Sequence, residues 1–124
     1  MVAYSFVERF ERLILMGLKL QTIRGNSGKR HARPGETMQL YINQRRPDAR
    51  LILTPICRSV WPIRLLLGER HAAVVRGEDY AGGLDQLARD DGFGSWSEMR
   101  VFWDVHHPGV VDFSGVLIRW WPPQ

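Results

Sequence analysis

The stretch from residue 51 to 67, LILTPICRSVWPIRLLL, constrains the fold more than any other part of the chain. It is long and rich in the β-branched and aliphatic residues that are common in strands. Pro55 and Pro62 interrupt it, and proline cannot donate a hydrogen bond to a neighbouring strand. The stretch therefore predicts β structure with bulges or breaks at the two prolines.

Shorter patterns on both sides of this stretch predict the other elements. Strand-forming residues predict strands at 3–7, 19–24, 37–42, 72–76 and 111–121. Helical spacing predicts helices at 8–17, around 84–88, and from an N-cap at Ser95 or Ser97 to residue 107. Glycine and proline predict a loop at 25–36 and a turn at 44–50. Strands early, helices late and a returning carboxy-terminal strand predict a single α+β domain over residues 1–124, a mixed β-barrel with helices packed on it.

The cysteine content and the amino terminus indicate the compartment. Cys57 is the only cysteine, so no disulfide can form within the chain. Four charged residues lie inside the amino-terminal apolar stretch, whereas a secretory signal has an uncharged core: Glu8, Arg9, Glu11 and Arg12. No apolar run reaches the length of a membrane span. These features predict a cytoplasmic protein without a membrane partner.

Charge is divided unevenly along the chain. Residues 1–64 contain 12 Lys and Arg against 4 Asp and Glu, whereas residues 65–124 contain 5 against 9. Between Glu11 and Glu36 there is no acid, and the cations there are Arg12, Lys19, Arg24, Lys29, Arg30 and Arg33. Such a cluster predicts salt-dependent binding of phosphates.

Six segments, in this order, resemble one known family. They are RF...I..G.K.QTIR (9–24), RHARPGETMQLY (30–41), ICRSV (56–60), LARDDGF (87–93), EMRVFWDVHHPG (98–109) and FSGVLIRW (113–120). In combination they resemble the small ASCH-domain proteins, above all the stand-alone kind common in bacteria and their phages. The resemblance covers roughly residues 5–121.

The resemblance implies a PUA-like mixed β-barrel with two or three packed helices, and RNA or a modified nucleoside or nucleotide as the partner. One bacterial relative is an amidohydrolase that removes the acetyl group of 4-acetylcytidine, and another branch is reported as ribonuclease. By resemblance to the amidohydrolase, the catalytic set would be Lys19, Thr22 and Asp91, with Asp90 as the alternative acid. The basic loop is longer than in that enzyme, which favours a polymeric ligand.

Spacing alone leaves the chemistry of this set open. Lys19 and Thr22 would face opposite sides of a regular strand, so they meet only if the chain bends, which Gly17 permits. In that case Lys19 would activate the Thr22 hydroxyl or stabilise an oxyanion, and Asp91 would orient Lys19. The alternative is that Lys19 is a solvated phosphate contact and Thr22 a strand former.

The basic half also supplies candidate nucleic-acid contacts. Arg24 shares a strand face with Thr22 and would clamp a phosphate, stack on a base, or pair with an acid of the helical half. Tyr41 and Trp61 are the candidate base-stacking residues, whereas the other tryptophans are predicted to pack in the core or at its rim. The cationic candidates in the loop and the turn are Lys29, Arg30, Arg33, Arg45 and Arg46. Solvated surface charge is the alternative for those in the turn.

No metal ion or cofactor is expected. His106 and His107 are adjacent, and the sequence has no C-x-x-C or H-x-x-x-H spacing. These two histidines are predicted to cap a helix end, and Cys57 to be a small buried apolar residue. The sequence therefore predicts a module that binds RNA or nucleotides through a basic cleft, with a role in RNA metabolism. The enzymatic alternatives, an acetylcytidine amidohydrolase or a ribonuclease using the same cleft, stay open.

Overall fold

The computed structural model describes residues 2–26 and 28–123, so Ser27 of the predicted basic loop lies outside the described residues. The strands are β1 (Val2–Phe6), β2 (Gln21–Gly25), β3 (Met38–Ile42), β4 (Arg50–Leu53), β5 (Cys57–Leu67), β6 (His71–Val75), β7 (Glu78–Asp79) and β8 (Asp112–Trp120). The α-helices are α1 (Glu11–Leu15), preceded by one 3-10 turn, α2 (Gly83–Asp90) and α3 (Trp96–His106). The fold is α+β, which confirms the predicted class.

The strands form two sheets. The smaller has the order β1-β3-β4 and is mixed, because β1 runs parallel to β3 and β4 runs antiparallel to it. The larger has the order β2-β8-β5-β6-β7, and all its neighbours are antiparallel. The predicted closed barrel is not formed over the described residues, because β1 and β2 are edge strands of different sheets. The two sheets are joined at a corner where Thr37 bridges Ile56, and the edge strands β1 and β2 stay unpaired with each other.

The two prolines of the long β stretch have different effects. Pro55 lies in the break between β4 and β5, as predicted. The prediction of a bulge or break at Pro62 is wrong, because β5 continues through it. The Pro62 carbonyl accepts a hydrogen bond from the Arg76 N–H at 3.1 Å, just where the pairing with β6 ends. The N–H group that Pro62 lacks would therefore lie at the end of the pairing with β6. Its absence removes no hydrogen bond of that pairing.

The core lies on both faces of the larger sheet. Leu117 and Ile118 are consecutive in β8 and both fully buried, and consecutive strand residues point to opposite faces. On the Ile118 face, Trp120 contacts Phe6 of the smaller sheet edge to face, with ring centroids 6.1 Å apart. On the Leu117 face, Phe113 contacts α3. The larger sheet is therefore enclosed between the smaller sheet and the helices.

Local capping determines where α3 begins. The Ser95 side chain accepts a hydrogen bond from the Glu98 N–H at 3.2 Å, so Ser95 and not Ser97 is the N-cap. The helix buries Met99 and Trp103, as its apolar spacing predicted. None of the described helices is long and apolar enough to cross a membrane.

Candidate functional site

The edges of β1 and β2 line two neighbouring cavities. One is open and basic, has a volume of about 710 Å³, and includes the loop after β2 in its lining; we call it the basic cavity. The other, the aromatic cavity, has a volume of about 340 Å³ and lies between β2 and α3. Its phenylalanine and tryptophan rings are those of Phe6, Phe10, Phe102, Trp103 and Phe113. Ser5, Arg24 and Gly25 line both cavities, so the two adjoin.

Lys19 and Asp91 form a buried ion pair beside the aromatic cavity. Gly17 follows the C-cap of α1 with a φ of +73°, and Lys19 then enters the interior, where it is 2% exposed. Its ammonium donates to the Asp91 main-chain carbonyl at 2.6 Å and lies 3.4 Å from Asp91 Oδ1. Burial lowers the pKa of Lys19 and raises the pKa of Asp91, and the attraction between the two groups opposes both shifts. A solvated phosphate contact is therefore excluded for Lys19.

The end of α2 distinguishes Asp91 from Asp90. Asp91 is the C-cap residue, and Gly92 follows it with a φ of +98°, a conformation that favours glycine. A Cβ atom on Gly92 would lie 3.1 Å from Cδ of Lys19, so the glycine also permits the close approach of the lysine. Asp90 faces away, and its carboxylate accepts hydrogen bonds from Tyr80 and Gln86. Asp91 is thus the acid that lines the aromatic cavity.

Thr22 lines the same cavity, yet its hydrogen-bond partner differs from the expected one. Its Oγ1 accepts from Arg24 Nε at 2.9 Å, and no hydrogen bond joins it to Lys19 within the described residues. Arg24 also donates to the Ser5 carbonyl at 2.7 Å, and its guanidinium lies 4.9 Å from the ring centroid of Phe6. No carboxylate of the described chain pairs with Arg24, so it does not form the ion pair considered as an alternative.

The structure separates the predicted loop and turn cations into two groups. Lys29, Arg30 and Arg45 line the basic cavity. The Arg30 guanidinium makes two hydrogen bonds to the Glu36 carboxylate, at 2.9 and 2.5 Å, and lowers the pKa of Glu36 to about 2. Arg33 and Arg46 are exposed and do not line either cavity.

The two predicted stacking residues lie outside both cavities. Tyr41 alternates with the buried residues of β3 and is half-buried on the other face of that strand. Trp61 lines a separate cavity with Arg76 and Arg119. Neither residue therefore lies at the cleft. Base stacking on either of them stays a prediction.

Sequence reasoning missed two histidines of the aromatic cavity. His106 and His107 line it, although they were predicted only to cap a helix end. The His106 ring lies 4.1 Å from Phe102, and the His107 ring lies 4.4 Å from Trp103, which is buried as predicted. In each pair the two residues are four positions apart on one helix. That spacing could have predicted the two ring contacts from the sequence. Burial lowers the pKa of His107, which favours the neutral imidazole.

No group of three or more metal-ligating side chains converges within the described residues. The arrangement is that of an α+β protein whose cleft lies between two open sheet edges and a helix. Comparison of the chain with protein-family models, with curated proteins and with solved structures finds no match.

Proposed function

We propose that this chain is a PUA-like protein of the ASCH type that binds RNA, or a nucleotide of it, across the basic and aromatic cavities. The observation that carries the proposal is that Arg24 lines both cavities. A nucleotide is a phosphate joined to a planar base, and this cleft joins a cationic cavity to one lined by aromatic rings. Arg24, at the junction, would contact the phosphate while the base enters the aromatic cavity.

The charges of the basic cavity favour a phosphate. Lys29 and Arg45 line it without a carboxylate partner among the described residues, and both are exposed. The Arg30 guanidinium also lines this cavity, although the Glu36 carboxylate offsets its charge. Unpaired cations on a loop bind the backbone of a nucleic acid by releasing its counterions, so the affinity is expected to fall with salt.

The aromatic cavity suits a base in size and lining. Its volume of about 340 Å³ lies near the lower end of the range of small-molecule sites. Stacking of one base on an aromatic side chain contributes about 1–3 kcal/mol. The buried Lys19 and Asp91 add polar groups that would discriminate among the edges of bases.

Binding of single-stranded RNA, measured by fluorescence anisotropy over a range of salt, tests the proposal. The double variant Lys29→Ala, Arg45→Ala is expected to bind more weakly and to lose about one unit of salt slope per lost phosphate contact. Its matched control is Arg33→Ala, Arg46→Ala, which removes two exposed cations from outside the cavities and should have a smaller effect. Equal losses in both variants would mean that binding is not localised in the cleft.

Hydrolysis of an exocyclic amide, as in 4-acetylcytidine, is the second candidate function, because Lys19, Thr22 and Asp91 line one cavity. Thr22 would attack the amide carbonyl, and Lys19 in its neutral form would take the hydroxyl proton and return it to the leaving amine. Water would then hydrolyse the acyl-threonine ester and release acetate. Arg24, which donates to Thr22 Oγ1, would stabilise the developing negative charge.

Turnover of 4-acetylcytidine, free and within RNA, tests this second candidate. Deacetylation by the wild type and its loss in Thr22→Ala, with RNA affinity retained, are the expected results. Absence of deacetylation would remove this activity and leave RNA binding standing. Activity that persists in Thr22→Ala would instead indicate a water activated by Lys19. Cleavage of the RNA strand would identify a ribonuclease.

A further inference from the structure

Three arginines outside the cleft stack on tryptophan rings. The guanidinium carbon of Arg58 lies 4.8 Å from the ring centroid of Trp121. Those of Arg119 and Arg76 lie 4.9 and 5.0 Å from the ring centroid of Trp61. Stacking holds the planar guanidinium in place while its N–H donors remain available in the plane.

These groups form one continuous surface. Arg58 and Arg119 line a cavity of about 270 Å³, and Arg119, Arg76 and Trp61 line a second cavity of about 510 Å³. Arg119 and Asp90 belong to both linings, so the two cavities adjoin. We call this region, together with Trp121, the arginine–tryptophan surface.

The three arginines of this surface have no carboxylate partner within the described residues. Five other arginines of the described chain lie within 4.0 Å of a carboxylate: Arg9, Arg30, Arg50, Arg64 and Arg100. Arg58, Arg76 and Arg119 do not. Arg119 donates from Nε to Gln21 at 3.3 Å and from one Nη to the Tyr80 hydroxyl at 3.1 Å, whereas the Arg58 side chain makes no hydrogen bond within the described residues. The smaller cavity therefore contains two cations without a carboxylate partner, and Arg58 keeps all of its donors.

The acids near this surface are unevenly placed. Glu78 and Asp79 line only the larger cavity, beside Arg76. Asp90 lines both, but its two oxygens already accept hydrogen bonds from Tyr80 at 2.5 Å and Gln86 at 2.8 Å. Positive charge is therefore in excess at the end that contains Arg58 and Arg119.

We propose that the arginine–tryptophan surface binds a second stretch of single-stranded RNA, with a phosphate between Arg58 and Arg119 and a flanking base on the exposed Trp121. The site is separate from the cleft, although the choice of RNA rests on the proposed function. Gln21 is buried between the two sites, where its amide accepts from Arg119 Nε at 3.3 Å and donates to Asp91 Oδ1 at 3.4 Å. The proposal requires a strand of several nucleotides to run over the surface from the cleft to this second site.

Affinity measured as a function of RNA length tests the proposal. The double variant Arg58→Ala, Trp121→Ala is expected to bind a dodecanucleotide at least about tenfold more weakly, because it loses one phosphate contact and one stacked base. Its affinity for a trinucleotide, which fills only the cleft, is expected to equal that of the wild type. Both replaced residues are exposed, and the matched control is Arg64→Ala, which removes an exposed arginine of the same strand that pairs with Asp112.

An unchanged affinity for the dodecanucleotide would overturn the proposal, and so would equal losses for both lengths. Failure of the cleft proposal has a different signature, because the Lys29→Ala, Arg45→Ala variant would then match its own control at both lengths. Quenching of tryptophan fluorescence gives a second readout. The dodecanucleotide should quench the wild type more than the trinucleotide does, and this difference should shrink in Trp121→Ala. Equal quenching by the two lengths would also contradict the proposal.

Discussion

The buried pair of Lys19 and Asp91 is the most consequential contact of the cleft at the residue scale. Removing one partner leaves a charge in the interior with no counter-ion. We therefore expect Lys19→Met to lower the free energy of unfolding by about 3–5 kcal/mol. The double variant Lys19→Met, Asp91→Leu should recover most of that loss, because it removes both charges. Urea denaturation measures both changes, and a loss below about 1 kcal/mol for Lys19→Met would contradict the buried ion pair.

Glu36 gives a prediction about pH. The Arg30 guanidinium and the Arg33 N–H hold its pKa at about 2, below the ordinary value of 4.5. Because the folded pKa is depressed, the carboxylate stabilises the folded loop above about pH 4.5, and this contribution is lost as the pH falls towards 2. An NMR titration of the Glu36 carboxyl should show the low pKa in the wild type and a rise towards 4.5 in Arg30→Ala. The same titration midpoint in both proteins would contradict this loop contact.

At the scale of the element, the N-cap of α3 gives a prediction. This helix supplies several of the residues that line the aromatic cavity. Ser95→Ala removes the acceptor of the Glu98 N–H and should cost about 1 kcal/mol of unfolding free energy. Ser97 is exposed inside the helix, so Ser97→Ala should change the unfolding free energy by less than about 0.5 kcal/mol. Thermal and urea denaturation of the two variants check this. A larger loss of unfolding free energy for Ser97→Ala than for Ser95→Ala would place the start of the helix two residues later.

Elements with strong local signals were predictable from the sequence. The predicted strands at 37–42 and 111–121 match β3 and β8 to within one residue at each end. Alternation and turn residues are local properties, so a sequence pattern is enough to find them. Pairing was not predictable: the parallel contact of β1 with β3 joins segments more than thirty residues apart. The unbroken strand at Pro62 also depends on where its neighbour β6 ends.

The same distinction applies to the candidate site. The sequence resemblance selected Lys19, Thr22 and Asp91, and all three line one cavity. It could not show that Lys19 is buried, since burial there depends on the approach of Gly92 from the end of α2. Nor could it separate Arg45 from Arg46, because only the backbone turn, with a φ of +73° at Arg45, determines which side chain lines the basic cavity.

At the scale of the whole molecule, ion pairs join the basic first half of the chain to the acidic second half. Arg9 pairs with Glu98, Lys19 with Asp91, and Arg64 with Asp112. These contacts use acids of α3, of the end of α2 and of β8. The cations of the basic cavity remain outside this pairing, so the division of charge along the sequence becomes a cationic cavity beside the aromatic one.

If one RNA ligand occupies both cavities, an NMR titration should locate it there. Isotope-labelled protein would be titrated with a short single-stranded RNA, and the shifts of the main-chain amides recorded. We expect the largest changes at Ser5, Arg24 and Gly25, which line both cavities, with smaller changes along the inner face of α3. Changes confined to its exposed face, at Val101 and Val105, or no changes at saturating RNA, would contradict this binding mode.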